Sequence, residues 1–451
     1  MINIDTQTKS ETRLIASQRL IASQPTVQTY ARYKPSGVEW LGEIPEHWEA
    51  LSNKFIFNLK KNTVGKNSDN YDLLSLTLRG IVIRNIEEGG KFPAEYDTYQ
   101  EVKKGDFVFC LFDVEETPRC VGLSKYDGMI TGAYTVMEPK DSFDRSFLYY
   151  FYLNLDTDKR LRPLYTGLRN TISKENFFSF KTFIPTLLEQ TAIANFLDDK
   201  TQKIDQAIGI KEQQIALLKE RKQILIHKAV TRGIRPLSEA EMKDSGVEWI
   251  GEIPEHWEVK RLKYLLDEVN IRSTTGEEEL LSLSKYKGVI PKSSLEERAG
   301  QANSLIGYKK VFIDNLVINK MQAVNGLISV SNIEGITSPD YSVYKSKKDD
   351  VLNIHYLNSL INQIEYLAVF KKRVTGVMEG FIRLYTDDLY DVIVHLPPVQ
   401  EQKEISSYIE STSQKIDTAI SLKTQEIEKL KEYKSSLINS VVTGKVKIIE
   451  N

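Results

Sequence analysis

Cysteine is nearly absent from this chain of 451 residues. Only Cys110 and Cys120 occur, and neither recurs in the second half of the sequence. That excludes a disulfide framework and a thiolate metal site, and it fits a reducing cytosol. Long apolar runs are missing too. Nothing approaches eighteen consecutive apolar residues, so no membrane span is expected. The first thirty residues lack the apolar core of a secretory signal. Charge of one sign is also missing. Lys and Arg number 60 against 62 Asp and Glu, a net charge of −2. Residues 51–183 hold 19 bases and 18 acids, and residues 259–395 hold 18 and 17. Bulk charge therefore gives no support for nucleic-acid binding, which usually shows as a basic surplus.

Catalytic signatures are missing as well. No GxxxxGK[ST] loop occurs, and the VTGK at Val442 lacks the upstream glycine. No Asn-Pro dipeptide occurs, so the Asn-Pro-Pro-aromatic motif of adenine methyltransferases is absent. There is no HExxH and no paired-cysteine pattern; the histidines are His47, His227, His256, His355 and His395. The chain is expected to carry no catalytic centre, no metal and no cofactor of its own.

One phrase occurs twice. Ser36 to Trp48 reads SGVEWLGEIPEHW, and Ser245 to Trp257 reads SGVEWIGEIPEHW. All four tryptophans (Trp40, Trp48, Trp249 and Trp257) lie in these copies. A looser repeat follows each: IPTLLEQTAIANFLDDKTQKIDQAI from Ile184 and LPPVQEQKEISSYIESTSQKIDTAI from Leu396. The period is about 210 residues, far too long for a solenoid, so it marks two copies of a domain plus a connector.

Between the repeated frames lie two weakly similar inserts. Both read as mixed α/β. LLSLTLRGIVIR from Leu73, KKGDFVFCLF from Lys103 and MITGAYTVM from Met129 are short β-rich runs bounded by Gly and Asp. Ser146–Leu155 reads as a helix. In the second insert YKKVFIDNLVINKM and the helical LNIHYLNSLINQIEYL from Leu352 take similar places.

After each insert an alternating three-four spacing runs for more than four heptads. The first copy places Leu197, Thr201, Ile204, Ile208, Lys211, Ile215, Leu218, Lys222, Leu225 and Ala229 on one seam. The same positions 212 residues on are Ile409, Ser413, Ile416, Ile420, Lys423, Ile427, Leu430, Lys434, Leu437 and Val441. This is the pattern of a coiled coil, in which the seam lysines fix register at some cost in stability. Gly233 and Gly444 stand where helix stops belong. Leu197 to Ala229 spans about 50 Å of helix, roughly 15 base pairs of DNA. If each domain has its ends close together, the two helices run antiparallel with one domain at each end and a pseudo-two-fold between copies. The bland alternative packs each helix on its own globular domain.

The expected fold is thus two α/β domains joined by two long antiparallel helices. Residues 1–30 form an N-terminal arm, 31–185 the first domain, 186–233 the first helix, 234–396 the second domain and 397–451 the second helix. His47 and His256 read as packing or hydrogen-bonding groups at a turn rather than functional ones. The tryptophans read as anchors between domain entrance and helix ends.

Residues able to read bases are Arg, Lys, Asn or Gln on loops, because they present bidentate donors and acceptors to base edges. In the first insert these are Lys60, Lys61, Lys66, Arg119, Lys125, Arg169 and Asn170. In the second they are Lys320, Gln322, Asn325, Lys371, Lys372, Arg373 and Arg383. Each alone is as well explained as a solvated surface charge. The clusters TGLRN and KKRVTG occupy matching places ahead of the IP and LP segments.

From about Tyr33 onward the chain resembles the specificity subunit of type I restriction–modification systems. The resemblance rests on the two IPEHW phrases and on Ile184, Pro185, Glu189, Gln190, Ile193, Phe196 and Leu197, followed by Lys203–Asp205 and VTRG. The second copy carries Leu396, Pro397, Pro398, Glu401, Gln402 and Ile405, then Lys415–Asp417 and VTGK. The resemblance implies that each insert is a target-recognition domain and each helix a conserved spacer. It implies double-stranded DNA as ligand, read as a bipartite, non-palindromic target with one half-site per domain. It further implies two modification (methyltransferase) subunits carrying S-adenosylmethionine, and restriction subunits with ATP- and Mg-dependent translocase activity, all in the cytoplasm. The arm before Tyr33 departs from the pattern. A scaffold or inhibitor that holds proteins together without touching DNA remains the alternative.

Overall fold

The computed structural model describes residues 28–84, 96–234, 241–295, 304–376 and 382–448. Most of the expected N-terminal arm, residues 1–27, lies outside them. The chain packs as two compact units. The first runs up to Lys211 and resumes at Gln425; the second runs from Glu212 to Thr424.

In the first unit a four-stranded antiparallel sheet is built from β2 (Phe57–Leu59), β3 (Phe107–Phe109), β4 (Val121–Leu123) and β5 (Thr135–Pro139), in the order β2-β5-β3-β4. Helix α1 (Arg145–Thr157) follows. A separate pair joins β1 (Glu49–Ser52) to β6 (Lys181–Ile184) and leads into α2 (Leu187–Arg232). The second unit repeats this strand for strand. Its sheet runs β8-β11-β9-β10, from β8 (Leu266–Glu268), β9 (Leu316–Asn319), β10 (Ile328–Val330) and β11 (Tyr341–Ser346). Helices α3 (Ile354–Ile361) and α4 (Ile364–Arg373) follow, and β7 (Glu258–Arg261) pairs with β12 (Ile393–Leu396) ahead of α5 (Val399–Val442). The single helix expected from Leu352 is therefore two, parted at Asn362 and Gln363. The run from Leu73 is likewise a hairpin, Leu74–Thr77 with Gly80–Ile83, and its counterpart is Leu281–Ser284 with Gly288–Pro291.

Phe107–Phe109 of β3 and the first three residues of β9, Leu316 to Ile318, are apolar without a break because both faces of the sheet are covered there. Phe107 and Phe109 of β3 face the cluster holding Phe147, Phe151, Tyr152 and Leu155 of α1. Val108, between them, faces the opposite cluster with Val136, Leu74, Ile81 and Ile130. In the second unit Leu316 and Ile318 of β9 join the helix side, and Val317 joins Val343, Leu281 and Val289 on the other. The helix after the sheet is capped alike in both units. Asp144 accepts from Phe147 N at 2.9 Å and Asn353 from Tyr356 N at 2.9 Å.

The long helices run antiparallel in both units. In the first, Lys434 Nζ reaches Asp205 at 2.6 Å, and Lys211 pairs with Glu426. In the second, Lys222 Nζ reaches Asp417 at 2.7 Å. Lys222–Asp417 and Lys434–Asp205 are one contact written twice, each seam lysine meeting the aspartate of the other copy's KID segment. The apolar seam positions Leu197, Ile204, Ile208, Ile215, Leu218, Leu225, Ile409, Ile416, Ile420, Ile427, Leu430 and Leu437 are all buried or half-buried. The helices are longer than their heptad pattern, 46 and 44 residues, because the first turns carry the Glu-Gln segments instead of seam residues.

Candidate nucleic-acid interface

The repeated frame is built around one carboxylate per unit. Glu189, in the first turn of α2, accepts from Trp48 Nε1 at 3.2 Å and pairs with His47 Nε2 at 2.8 Å; the Tyr30 hydroxyl donates to it as well. Glu401, in the first turn of α5, repeats this with Trp257 Nε1 at 3.3 Å and His256 Nε2 at 2.7 Å. A carboxylate there also suits the positive end of the helix dipole. The next residue works inward. Gln190 accepts from Asp144 N at 2.9 Å and donates to Pro185 O at 2.9 Å. Gln402 accepts from Asn353 N at 2.8 Å and donates to Pro397 O at 2.8 Å. Glu thus holds the entrance phrase, and Gln holds the cap of the helix behind the sheet. The duplicated Glu-Gln beside a duplicated His-Trp was the only signal of this pairing in the sequence.

The far end of each long helix closes the other copy's frame. Val441 and Val442 of α5 share the core of Trp48, and Ala229 and Val230 of α2 share the core of Trp257. Trp48 and Trp257 are fully buried. The partly buried tryptophans pack differently: Arg160 lies 4.8 Å over the Trp40 ring, and Trp249 meets Tyr366 edge-on at 4.8 Å.

In the first unit the expected base readers separate into two groups. Lys60 is engaged within the domain, 2.7 Å from Asp106, and both side chains are nearly buried. Arg119 points at the buried Asp156, which also takes Lys159 at 3.0 Å and Cys120 N at 2.9 Å. These two cations balance interior carboxylates 46 and 37 residues away, a pairing that sequence spacing does not reveal. Lys61, Lys66 and Lys125 are exposed. Arg169 and Asn170 sit on a hairpin tip between Tyr165–Thr166 and Thr171–Ile172. Arg169 Nε donates to Asp113 at 3.0 Å and Asn170 Nδ2 to Glu116 at 3.3 Å, so the tip is braced on the acidic loop below it. The hydrogen bond from Arg169 holds the Asp113 carboxyl below its ordinary value.

In the second unit the expected readers converge. Leu384 N donates to Lys320 O at 3.0 Å, which brings Arg383 beside the segment holding Lys320, Gln322 and Asn325. Thr375 and Arg383 exchange backbone hydrogen bonds of 3.1 and 2.9 Å, which ties in the basic end of α4 with Lys371, Lys372 and Arg373. Burial pulls the Lys320 ammonium below its ordinary value, and the nearby Lys309 and Arg383 charges add to this. Asn325 Nδ2 donates to Gln322 at 2.7 Å, which orients both amides. Residues 377–381 of this loop lie outside the described residues. Among the described residues no group of three or more His, Cys, Asp or Glu could hold a metal ion, and no helix is long and apolar enough to cross a membrane.

No protein-family model matches the chain. Two proteins of Methanocaldococcus jannaschii are similar to it. One, named as the MjaX type I restriction enzyme specificity subunit, is 25% identical over 445 residues, covering 90% of this chain and 96% of its own. The other, the MjaVIII type I restriction enzyme specificity subunit, is 25% identical over 355 residues, covering 71% and 75%. Among solved structures, a chain from a study of complex assembly and conformational transition of the type I R-M system superposes with a TM-score of 0.60. It is 13% identical and covers 88% of this chain and 98% of its own. The resemblance drawn from the repeated motifs therefore extends along nearly the whole chain, and the fold is that of a solved type I component.

Proposed function

We infer that this chain is the specificity subunit of a type I restriction–modification complex, that each unit reads one half of a bipartite DNA target, and that the chain itself is not catalytic. The observation that carries this is a fixed frame around changed heads. The strand order, helix cap and His-Trp-Glu-Gln frame repeat, while the insert residues that decorate the sheet do not. A protein that must address two unlike half-sites needs that division, because phosphate and partner contacts set position while insert side chains set sequence. Modification subunits bearing S-adenosylmethionine would supply methyl transfer, and restriction subunits using ATP and Mg would supply cleavage.

The outer side of α2 offers these partners a surface. In the second unit Leu217 and Ile224 stand seven residues apart off the seam and are more than half exposed. Such a stripe suits an amphipathic helix of a modification subunit. Reconstitution tests the reading. With modification subunits and S-adenosylmethionine, the chain should direct methylation to one bipartite sequence. Purified alone it should neither methylate nor cut. A footprint indifferent to target sequence would leave only a scaffold, and Leu217→Glu should weaken co-purification of the modification subunits.

A further inference from the structure

Two hairpins differ in charge from the rest of their heads. Leu73–Arg84 holds Arg79 and Arg84 and no Asp or Glu; Leu280–Leu295 holds Lys285, Lys287 and Lys292 and again no Asp or Glu. They are the same element of the fold in the two units. Both rest on firm support. The side chains of Leu76 and Ile81 come so close to Gly122 of β4 that a Cβ there would lie 2.7 Å from each. At the second hairpin a Cβ on Gly288 would meet Ser329 Oγ of β10 at 2.9 Å. The first tip is tightened by Thr77 Oγ1, which accepts from Arg79 N at 3.1 Å and donates to Gly80 O at 3.0 Å.

What these stalks carry is apolar. Leu78 is 66% exposed and Tyr286 is 92% exposed. A single exposed apolar residue is ordinary. Here the same tip, in two heads with different sequences, holds an apolar side chain beside cations: Leu78 with Arg79, and Tyr286 between Lys285 and Lys287. Cations without carboxylates complement a phosphate backbone, and the apolar side chain complements base edges such as the thymine methyl.

We propose that these two hairpin tips enter a groove of duplex DNA, with Leu78 and Tyr286 against base edges and Arg79, Lys285 and Lys287 on the flanking phosphates. This rests on the reading of the chain as a DNA-specificity subunit and adds residues that motif reading passed over. Each tip belongs to one head, so each contributes to one half of the target.

The test uses the full chain reconstituted with modification subunits and a library of randomised duplexes. Wild type should enrich one bipartite motif. Leu78→Ala and Tyr286→Ala should melt like wild type, since neither side chain is buried. Each should lose affinity about tenfold or more for the enriched duplex, the scale of a lost apolar burial, and relax the motif in one half only. The pair Lys285→Ala and Lys287→Ala should lower the slope of log affinity against log salt by nearly two, as expected for two lost phosphate contacts. Variants that fold yet match wild type in affinity, salt slope and motif overturn the hairpin assignment and leave the specificity reading standing. Equal loss on all duplexes with an unchanged motif overturns the base contact. A wild-type complex that enriches nothing overturns the specificity reading, and the hairpin assignment with it.

Discussion

Phe183 in one unit and His395 in the other occupy the same place on the strand that leads into the long helix. Phe183 is buried in the apolar core of the first unit. His395 is equally buried but polar: its Nε2 lies 2.8 Å from Val230 O, its Nδ1 lies 3.3 Å from the Tyr366 hydroxyl, and its ring stacks on Trp257 at 5.5 Å. The frame is thus kept as geometry rather than as residue identity. The same strand position is buried in both units, but only the histidine there adds a titratable group.

The largest expected effect tests whether the frames are equivalent. Trp48→Ala and Trp257→Ala should each cost about 3–5 kcal/mol, the usual penalty for emptying a large buried aromatic site. Hydrogen exchange should show faster opening in the unit that holds the mutation. Protection lost equally in both units from either mutation would contradict two separate cores.

Acid should then part the units. Burial lowers the His395 pKa from 6.5 to about 4. Between those values the unfolded chain binds a proton that the folded unit refuses, so stability falls as pH falls, by about 1.4 kcal/mol per pH unit. Above pH 6.5 this contribution is flat. His395→Phe, which installs the other unit's residue, should remove the slope; unfolding of the second unit followed from pH 7 to 4 would reveal it.

The helix stops sharpen the comparison further. Gly233 and Gly444 both take positive φ, +77° and +73°. A Cβ on Gly444 would lie 2.4 Å from the Pro45 ring, whereas on Gly233 its nearest neighbour is the Glu401 carboxylate at 3.0 Å. Both alanine variants should lose about 1 kcal/mol to backbone strain. Gly444→Ala should lose more, because a proline ring cannot swing aside as a glutamate can. Equal melting shifts would count against this.

The smallest effect completes a broken symmetry. Lys211 finds Glu426, but the matching Lys423 faces a copy in which that acid position is Gln214. Gln214→Glu should stabilise the second unit by about 0.5 kcal/mol at low salt and by less at high salt, as an exposed ion pair does.

Much of this architecture is legible in the sequence. The duplicated phrases mark two domains, the three-four spacing marks both helices, and their antiparallel run follows from the connectivity if each domain has its ends close together. The heads were less legible for a physical reason. Their strands are two to six residues long, and β3 and β9 are buried on both faces, so these two show neither alternation nor length enough to set a period. The shared strand order therefore stayed hidden behind unlike sequences. Lys60 and Arg119 looked like free cations because Asp106 and Asp156 approach them only in three dimensions. Leu78 and Tyr286 carry no base-reading signature in the sequence, because an apolar side chain shows its exposure only in the fold.

The most direct measurement exchanges one head. Residues 51–183 would be replaced by the insert of another specificity subunit, and the genomic methylation pattern of cells carrying the hybrid would be sequenced. One half of the methylated motif should change while the other half and the gap between them stay as in wild type. A hybrid that alters both halves, or neither, would contradict the division into one fixed frame and two independent readers.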